Sequence, residues 1–128
     1  MSKGEEKISF ILKSAHIPYE KEYTFPDLTF KKSLLRFDFA ILSCGRPIKL
    51  IEFDGEQHFK HIAKFGTYSD FKHMQENDRR KNRYCLLNNI PLYRIPYWEL
   101  NNIVNFQSIL KQKFLVKTIY HNDLLINN

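Results

Sequence analysis

Leu35-Arg36-Phe37-Asp38-Phe39-Ala40-Ile41, followed across a short turn by Ile51-Glu52-Phe53-Asp54-Gly55-Glu56-Gln57-His58, is the stretch on which the fold turns. Both runs are apolar enough for buried strands. The intervening Ser43-Cys44-Gly45-Arg46-Pro47 has the turn chemistry of a hairpin. Yet each run carries carboxylates in its interior, where ionised acids are rare without a compensating partner. A divalent metal ion would compensate them, and so would buried salt bridges.

By the two-residue period of a strand, Glu52 and Asp54 share a face, and Asp38 lies on the facing strand. The turn decides whether Asp38 stands beside Glu52. A loop running from Ser43 to Arg46 pairs Asp38 with Ile51, whereas a three-residue loop with a bulge near Gly45 pairs it with Glu52; the second register is expected. Two carboxylates side by side repel, which raises a pKa or demands a cation. Asp and Glu are hard oxygen donors suited to Mg²⁺ or Mn²⁺, so Asp38, Glu52 and Asp54 are the expected metal ligands.

Upstream, Ser2 to His16 reads as a helix with Ser2 and Glu5 at capping-box spacing, ended by Ile17-Pro18. Tyr19 to Phe25 follows as a strand closed by Pro26-Asp27, and Leu34–Leu42 and Ile48–Asp54 form the hairpin. Gly55 to Gly66 is an irregular connection. Thr67 and Asp70 offer a second capping box for a long helix reaching about Asn88. Pro91 to Ile95 is a short strand, and Trp98 to Phe114 an amphipathic helix carrying Leu100, Ile103, Val104, Ile109 and Leu110. The order α-β-β-β-α-β-α predicts an α/β fold, a mixed β-sheet flanked by helices, in one domain over residues 1–114. Residues 115–128 form a C-terminal extension whose Val116, Ile119, Leu124 and Ile126 could pack on it.

Length and composition narrow the function. The chain has 128 residues, 43% hydrophobic and 27% charged, enough for one core. No apolar run approaches the ~20 residues of a membrane span, and the start Met1-Ser2-Lys3-Gly4-Glu5-Glu6 has no apolar leader, so a cytoplasmic protein is expected. Cys44 and Cys85, without CxxC spacing, argue against a disulfide framework or a zinc site. The formal net charge of +6 suits a polyanionic partner.

Two helices also bring charge to apolar faces. At about 100° per residue, Glu5 falls on the stripe of Ile8, Leu12 and Ala15, although it is also where a capping-box glutamate belongs. On the long helix Phe71, Met74, Asp78, Lys81 and Cys85 occupy one arc, so Asp78 and Lys81 face inward, toward the sheet or merely toward each other. Lys72, Arg79, Arg80 and Arg83 fall on the far side. His58, four residues beyond Asp54, is placed to act as a general base or to protonate a leaving group; His16, His61, His73 and His121 lack acidic company.

The helix glutamate, Arg36-Phe37-Asp38-Phe39, Ile51-Glu52-Phe53-Asp54-Gly55-x-x-His58, Asp78-x-x-Lys81 and Leu92-Tyr93-Arg94-Ile95-Pro96 together resemble the very-short-patch-repair-like nucleases of the PD-(D/E)xK superfamily, including the phage homing enzymes with an EDxHD active site. The resemblance covers roughly Gly4 to Tyr97. It implies a restriction-endonuclease-like fold and Mg²⁺- or Mn²⁺-dependent cleavage of DNA phosphodiesters, with no small-molecule cofactor. It matches Glu5 to the family's helix glutamate, Asp38 to the principal metal ligand, Glu52 to the second acid, His58 to the histidine and Asp78 to the final aspartate. Phe37 replaces the signature proline. Asp54 stands where a lysine is usual, and Lys81 could supply that charge from the helix. The candidate catalytic set is therefore Glu5, Asp38, Glu52, Asp54, His58, Asp78 and Lys81. Lys31, Lys32, Arg46, Lys60, Lys64, Arg79, Arg80 and Arg83 are candidates for a phosphate track. Arg94 could contact phosphate or pair internally with Glu52 or Asp78. The competing readings are a catalytically silent relative that binds DNA or a protein, and a nuclease for RNA or for branched or mismatched DNA. Monomer and homodimer remain open.

Overall fold

The structure is a computed structural model and describes residues 1–112. Helix α1 (Lys3–Ser14) begins at Ser2, whose side chain accepts the Glu5 N–H while Glu5 Oε1 accepts the Ser2 N–H, so the expected capping box forms. Strands β1 (Tyr19–Phe30), β2 (Ser33–Ser43) and β3 (Arg46–Asp54) follow as an antiparallel meander. Two short 3-10 turns lead to helix α2 (Tyr68–Leu87), capped by Thr67 and Asp70 as their spacing predicts. Strand β4 (Leu92–Pro96) then pairs parallel to β3, giving a four-stranded mixed sheet of order β1-β2-β3-β4. Helix α3 (Phe106–Leu110) ends the described part.

Helices cover both faces of the sheet. On one, Ile8, Ile11 and Leu12 of α1 pack with Phe39, Ile41, Ile51, Ile95, Ile103 and Ile109. On the other, Cys85 of α2 packs with Leu28, Leu35, Phe37, Ala40, Leu50 and Leu92. Burying each such side chain stabilises the fold by about 2 kcal/mol, so the two layers fix the sheet between the helices.

Two elements differ from expectation. β1 runs on through Pro26-Asp27 to Phe30, because it is an edge strand, where a missing N–H is tolerated, and the register shift between Thr24 and Thr29 absorbs the proline. The helix expected over Trp98–Phe114 is instead a 3-10 segment (Tyr97–Asn102), a break, and the short α3. Asn105 caps α3 by accepting the Ser108 N–H, and this local bond interrupts the apolar stripe, leaving Val104 exposed. The extension 115–128, and the end of the expected last helix, lie outside the described residues.

Candidate functional site: an acid pair and a histidine network between sheet and helix

β2 and β3 pair Ile41 with Lys49, Ala40 with Leu50 and Phe39 with Ile51, so one further step sets Asp38 across from Glu52. The turn that achieves this is not the expected one. Ser43 pairs with Arg46 around a two-residue turn, Cys44-Gly45, with φ of 52° and 75°, and the bulge lies further in, between Ile41 and Leu42. One residue less in the loop and one more in the strand return the same neighbour.

Asp38 sits where β2 changes faces. Phe37 belongs to the α2-side core but Phe39 to the α1-side core, although a two-residue period should put them together. Between the pairs Lys21–Phe39 and Tyr23–Phe37, Glu22 of β1 adopts φ of 50°, a left-handed kink that twists both strands. The twist presents Asp38 to both layers. Its Oδ2 accepts the Phe53 N–H at 2.7 Å, and its carboxyl hydrogen-bonds Glu52. Burial, then the Glu52 charge, push Asp38 up to about 9, with Glu5 adding to the effect and the Phe53 N–H opposing it. Asp38 therefore carries a proton at neutral pH.

Glu52 is buried and meets Lys81 of α2, whose Nζ lies 2.7 Å from Oε1 and 5.7 Å from the centre of the Phe37 ring. On the other side of Asp38, an open cleft of about 360 Å³ is lined by Met1, Glu5, Lys21, Glu22, Asp38 and Phe39. Glu5 thus both caps α1 and faces Asp38 across the cleft. The helix end comes this close because Gly4 lies flat on the Phe53 ring, leaving no room for a Cβ.

Further along the same face stands a second network. Arg94 is buried, and its Nη1 donates to Asp54 Oδ1 and Oδ2 at 2.8 and 3.1 Å while its Nε donates to Asn82 Oδ1 at 2.8 Å. Its Nη2 lies 3.6 Å from Asp78 Oδ1. His58, at the end of a 3-10 turn (Glu56–His58), brings Nδ1 to 2.8 Å from Asp78 Oδ2 and 3.7 Å from Asp54 Oδ1. Burial resists charge on His58, but the Asp78 hydrogen bond and the two carboxylates outweigh it and raise its pKa above the usual 6.5. Burial likewise works against Asp78, yet Arg94, His58 and Lys81 hold it below the usual carboxylate value. An ionised Asp78 can only accept, so Nδ1 carries the proton and Nε2 is the basic nitrogen of neutral His58.

These geometries revise or settle four expectations. Asp54 is not a free ligand: both its oxygens are taken by Arg94, and burial raises its pKa despite Arg94 and His58. Arg94 lies inside the protein rather than at a phosphate-facing surface, paired with Asp78 as one of its two expected partners and with Asp54 in place of Glu52. Arg46 closes the β2–β3 turn, six residues and about 20 Å of strand from Glu52, so it stands away from the site. Asp78 and Lys81 do not pair with each other; each reaches a different strand residue or network partner.

Of the other basic candidates, Lys31 and Lys32 are exposed at the β1–β2 turn. Lys60 pairs with Glu56 at 3.1 Å and Lys64 lies over the Phe65 ring. Arg79 and Arg80 share Glu76, and Arg83 is half-buried. Asn82 carries no chemical signal of its own in the sequence beyond following Asp78 by four residues on the same helical face. Gly4 gave no sequence signal, because its role depends on where Phe53 lands.

Among the described residues, no three His, Cys, Asp or Glu side chains converge as a ready metal-binding group. The arrangement brings together Glu5, Asp38, Glu52 and Lys81 on one side and His58, Asp78, Arg94 and Asp54 on the other. One turn of α2 and two residues of β3 join the halves.

No family model matches the chain. Among curated proteins, it is 37% identical over 59 residues to uncharacterized protein 307L of Invertebrate iridescent virus 6, a match covering 44% of this chain and 30% of that protein. The chain thus spans under a third of the length of that relative. No solved structure matches. Among the described residues no helix is long and apolar enough to cross a membrane.

Proposed function

We propose that this chain is a metal-dependent endonuclease with a restriction-endonuclease-like fold that hydrolyses phosphodiester bonds in DNA. The observation that carries the reading is the pair of half-buried Asp38 and buried Glu52, two carboxyls in contact that have, among the described residues, Lys81 as the one cation bound to either. Asp38 lines the open cleft opposite Glu5, with Glu52 buried behind it, and such hard oxygen donors fit Mg²⁺ or Mn²⁺, with Asp38 and Glu52 as the holding residues. A bound divalent cation would supply Lewis acidity toward the phosphate and a more acidic water. Phosphodiester hydrolysis also needs charge neutralisation and proton movement, and the chain has a group for each.

Lys81 holds positive charge between sheet and helix, where it can meet a phosphate oxygen once Glu52 turns toward a cation. His58 presents Nε2 as a base near neutral pH, oriented by its Nδ1 bond to Asp78. Arg94 fixes Asp54 and, with Asn82, holds the α2 carboxylate in place, a positioning role made from inside the protein. One observation favours a second reading: Glu52 and Asp54 already have cationic partners, as expected of a silent relative that keeps its acids as structural pairs.

Supercoiled plasmid incubated with the protein and Mg²⁺ or Mn²⁺ separates the two. The nuclease nicks or linearises it, EDTA stops the reaction, and Asp38→Asn and His58→Gln each lower the rate at least about 100-fold. Equal inertness of wild type and both variants on duplex, branched and single-stranded DNA and on RNA would leave the structural reading standing.

A further inference from the structure

The hairpin β1–β2 outgrows the sheet. β2 pairs with β3 only from Phe39 onward, while Phe37, Arg36, Leu34 and Ser33 pair with β1 alone. Because β2 runs antiparallel to β3, this two-stranded arm projects beyond the end of β3 that carries Glu52 and Asp54. From Asp38 to the tip at Lys32 is six residues, about 20 Å of strand.

The arm is held against α2. Tyr84 donates its hydroxyl hydrogen to Asp27 Oδ1 at 2.6 Å, and its ring lies 5.0 Å from that of Phe25. Nearer the tip, the Phe30 ring is stacked by His73 at 5.2 Å and an interplanar angle of 28°, and covered by the Arg80 guanidinium at 4.0 Å. Lys31 Nζ lies 5.4 Å from the same ring. One aromatic side chain therefore gathers two cations and a histidine at the end of the arm, next to a helix face that also carries Lys72, Arg79 and Arg83, with Glu76 as its acid.

The tip is also strained. Lys31 and Lys32 both adopt left-handed φ, 51° and 67°, in a two-residue turn that asparagine and glycine would fill with less strain. Local folding chemistry does not account for two lysines there, whereas two exposed charges at the end of a braced arm suit a polyanion.

We propose that the β1–β2 arm is a backbone clamp for duplex DNA, in which Lys31 and Lys32, seated by Phe30 on α2, contact phosphates about 20 Å from the Asp38–Glu52 pair. The inference rests on the nuclease reading for its partner and deepens it by fixing how the duplex lies. A duplex engaged by Asp38 runs along the arm for about six phosphate spacings of one strand. The contacts carry no sequence information; they set register.

The test is binding of a fluorescent 25-base-pair duplex, followed by anisotropy in EDTA across a salt series, so that no cleavage is needed. Lys31→Asn/Lys32→Gly supplies the residues the turn prefers, so the variant should melt no lower than wild type. Losing two phosphate contacts makes its slope of log K against log salt shallower by about 1.8 and weakens binding roughly 60-fold at 0.1 M salt. Arg46→Gln/Lys49→Gln removes the same charge at the opposite end of the sheet and keeps the wild-type slope. Phe30→Leu retains every charge but unseats the tip, and its slope falls toward that of the double-lysine variant. The clamp is overturned if Lys31→Asn/Lys32→Gly keeps the wild-type slope, if the Arg46/Lys49 control loses as much, or if no duplex binds. Plasmid cleavage with an unaffected slope would leave the nuclease reading and remove the arm; lysine-dependent binding without cleavage would do the reverse.

Discussion

Replacing Asp38 with asparagine isolates the strain that two carboxyls in contact place on the fold. The amide keeps the shape, still accepts the Phe53 N–H and can donate to Glu52, but it cannot ionise. In the wild type, Asp38 titrates at about 9 when folded and at 3.8 as an unperturbed side chain. Its folded value is raised, so the native state holds a proton that the unfolded chain has released. That contribution is fully present below pH 4 and is lost as pH rises through about 9. A gap of about five pH units at 1.36 kcal/mol each sets a ceiling of about 7 kcal/mol, of which about 5 falls between pH 5 and pH 9. The unfolded chain keeps residual structure, so the measured share is smaller, at least about 2 kcal/mol. Urea unfolding of both proteins at pH 5, 7 and 9 gives the difference directly, because the two chains differ at this one side chain. Asp38→Asn should gain on wild type steadily as pH rises. Curves that stay parallel from pH 5 to pH 9 would refute the proton-holding pair.

Three more outcomes follow from the geometry. Asp78→Asn should lower the His58 pKa, which its carboxylate raises; the His58–Asp78 pair stabilises fully below about pH 6.5 and fades as pH passes the higher folded value, and an NMR titration of the ring that matches wild type would contradict this. Arg94→Met leaves Asp54 and Asp78 buried without their guanidinium and should cost about 3–5 kcal/mol in urea unfolding, part of it regained by adding Asp54→Asn; a loss below about 1 kcal/mol would show the network to be slack. Gly4→Ala gains about 1 kcal/mol of helix propensity but drives a Cβ into the Phe53 ring, an overlap worth about 1–3 kcal/mol, so thermal melts should show a net loss in wild type and a gain in a Phe53→Leu background.

Local chemistry was the readable part of this chain. The capping boxes at Ser2/Glu5 and Thr67/Asp70 form as spaced, since every atom they need lies within one turn. The inward arc of Asp78, Lys81 and Cys85 also follows from helical period alone, and all three sit against the sheet or its networks. Long-range pairing was less legible. Arg94 meets Asp54 only because β4 returns parallel beside β3, a placement that no local pattern in Leu92–Pro96 encodes. Asp38 stood beside Glu52 as expected, but through a tighter turn and a displaced bulge, and the left-handed Glu22 that swings Asp38 between layers has no sequence signature. Pro26 misled as a strand end because edge position is a property of the sheet. Val104 misled because periodicity cannot see an asparagine cap interrupting it.

The account turns on whether Asp38 and Glu52 accept a divalent cation. Anomalous diffraction from crystals soaked in Mn²⁺ at about pH 8 tests it most directly. The expected result is a peak bridging the two carboxyls, with Lys81 displaced from Glu52 and the peak lost in Asp38→Asn crystals. Lys81 still seated on Glu52, with no anomalous density beside Asp38, would contradict the account.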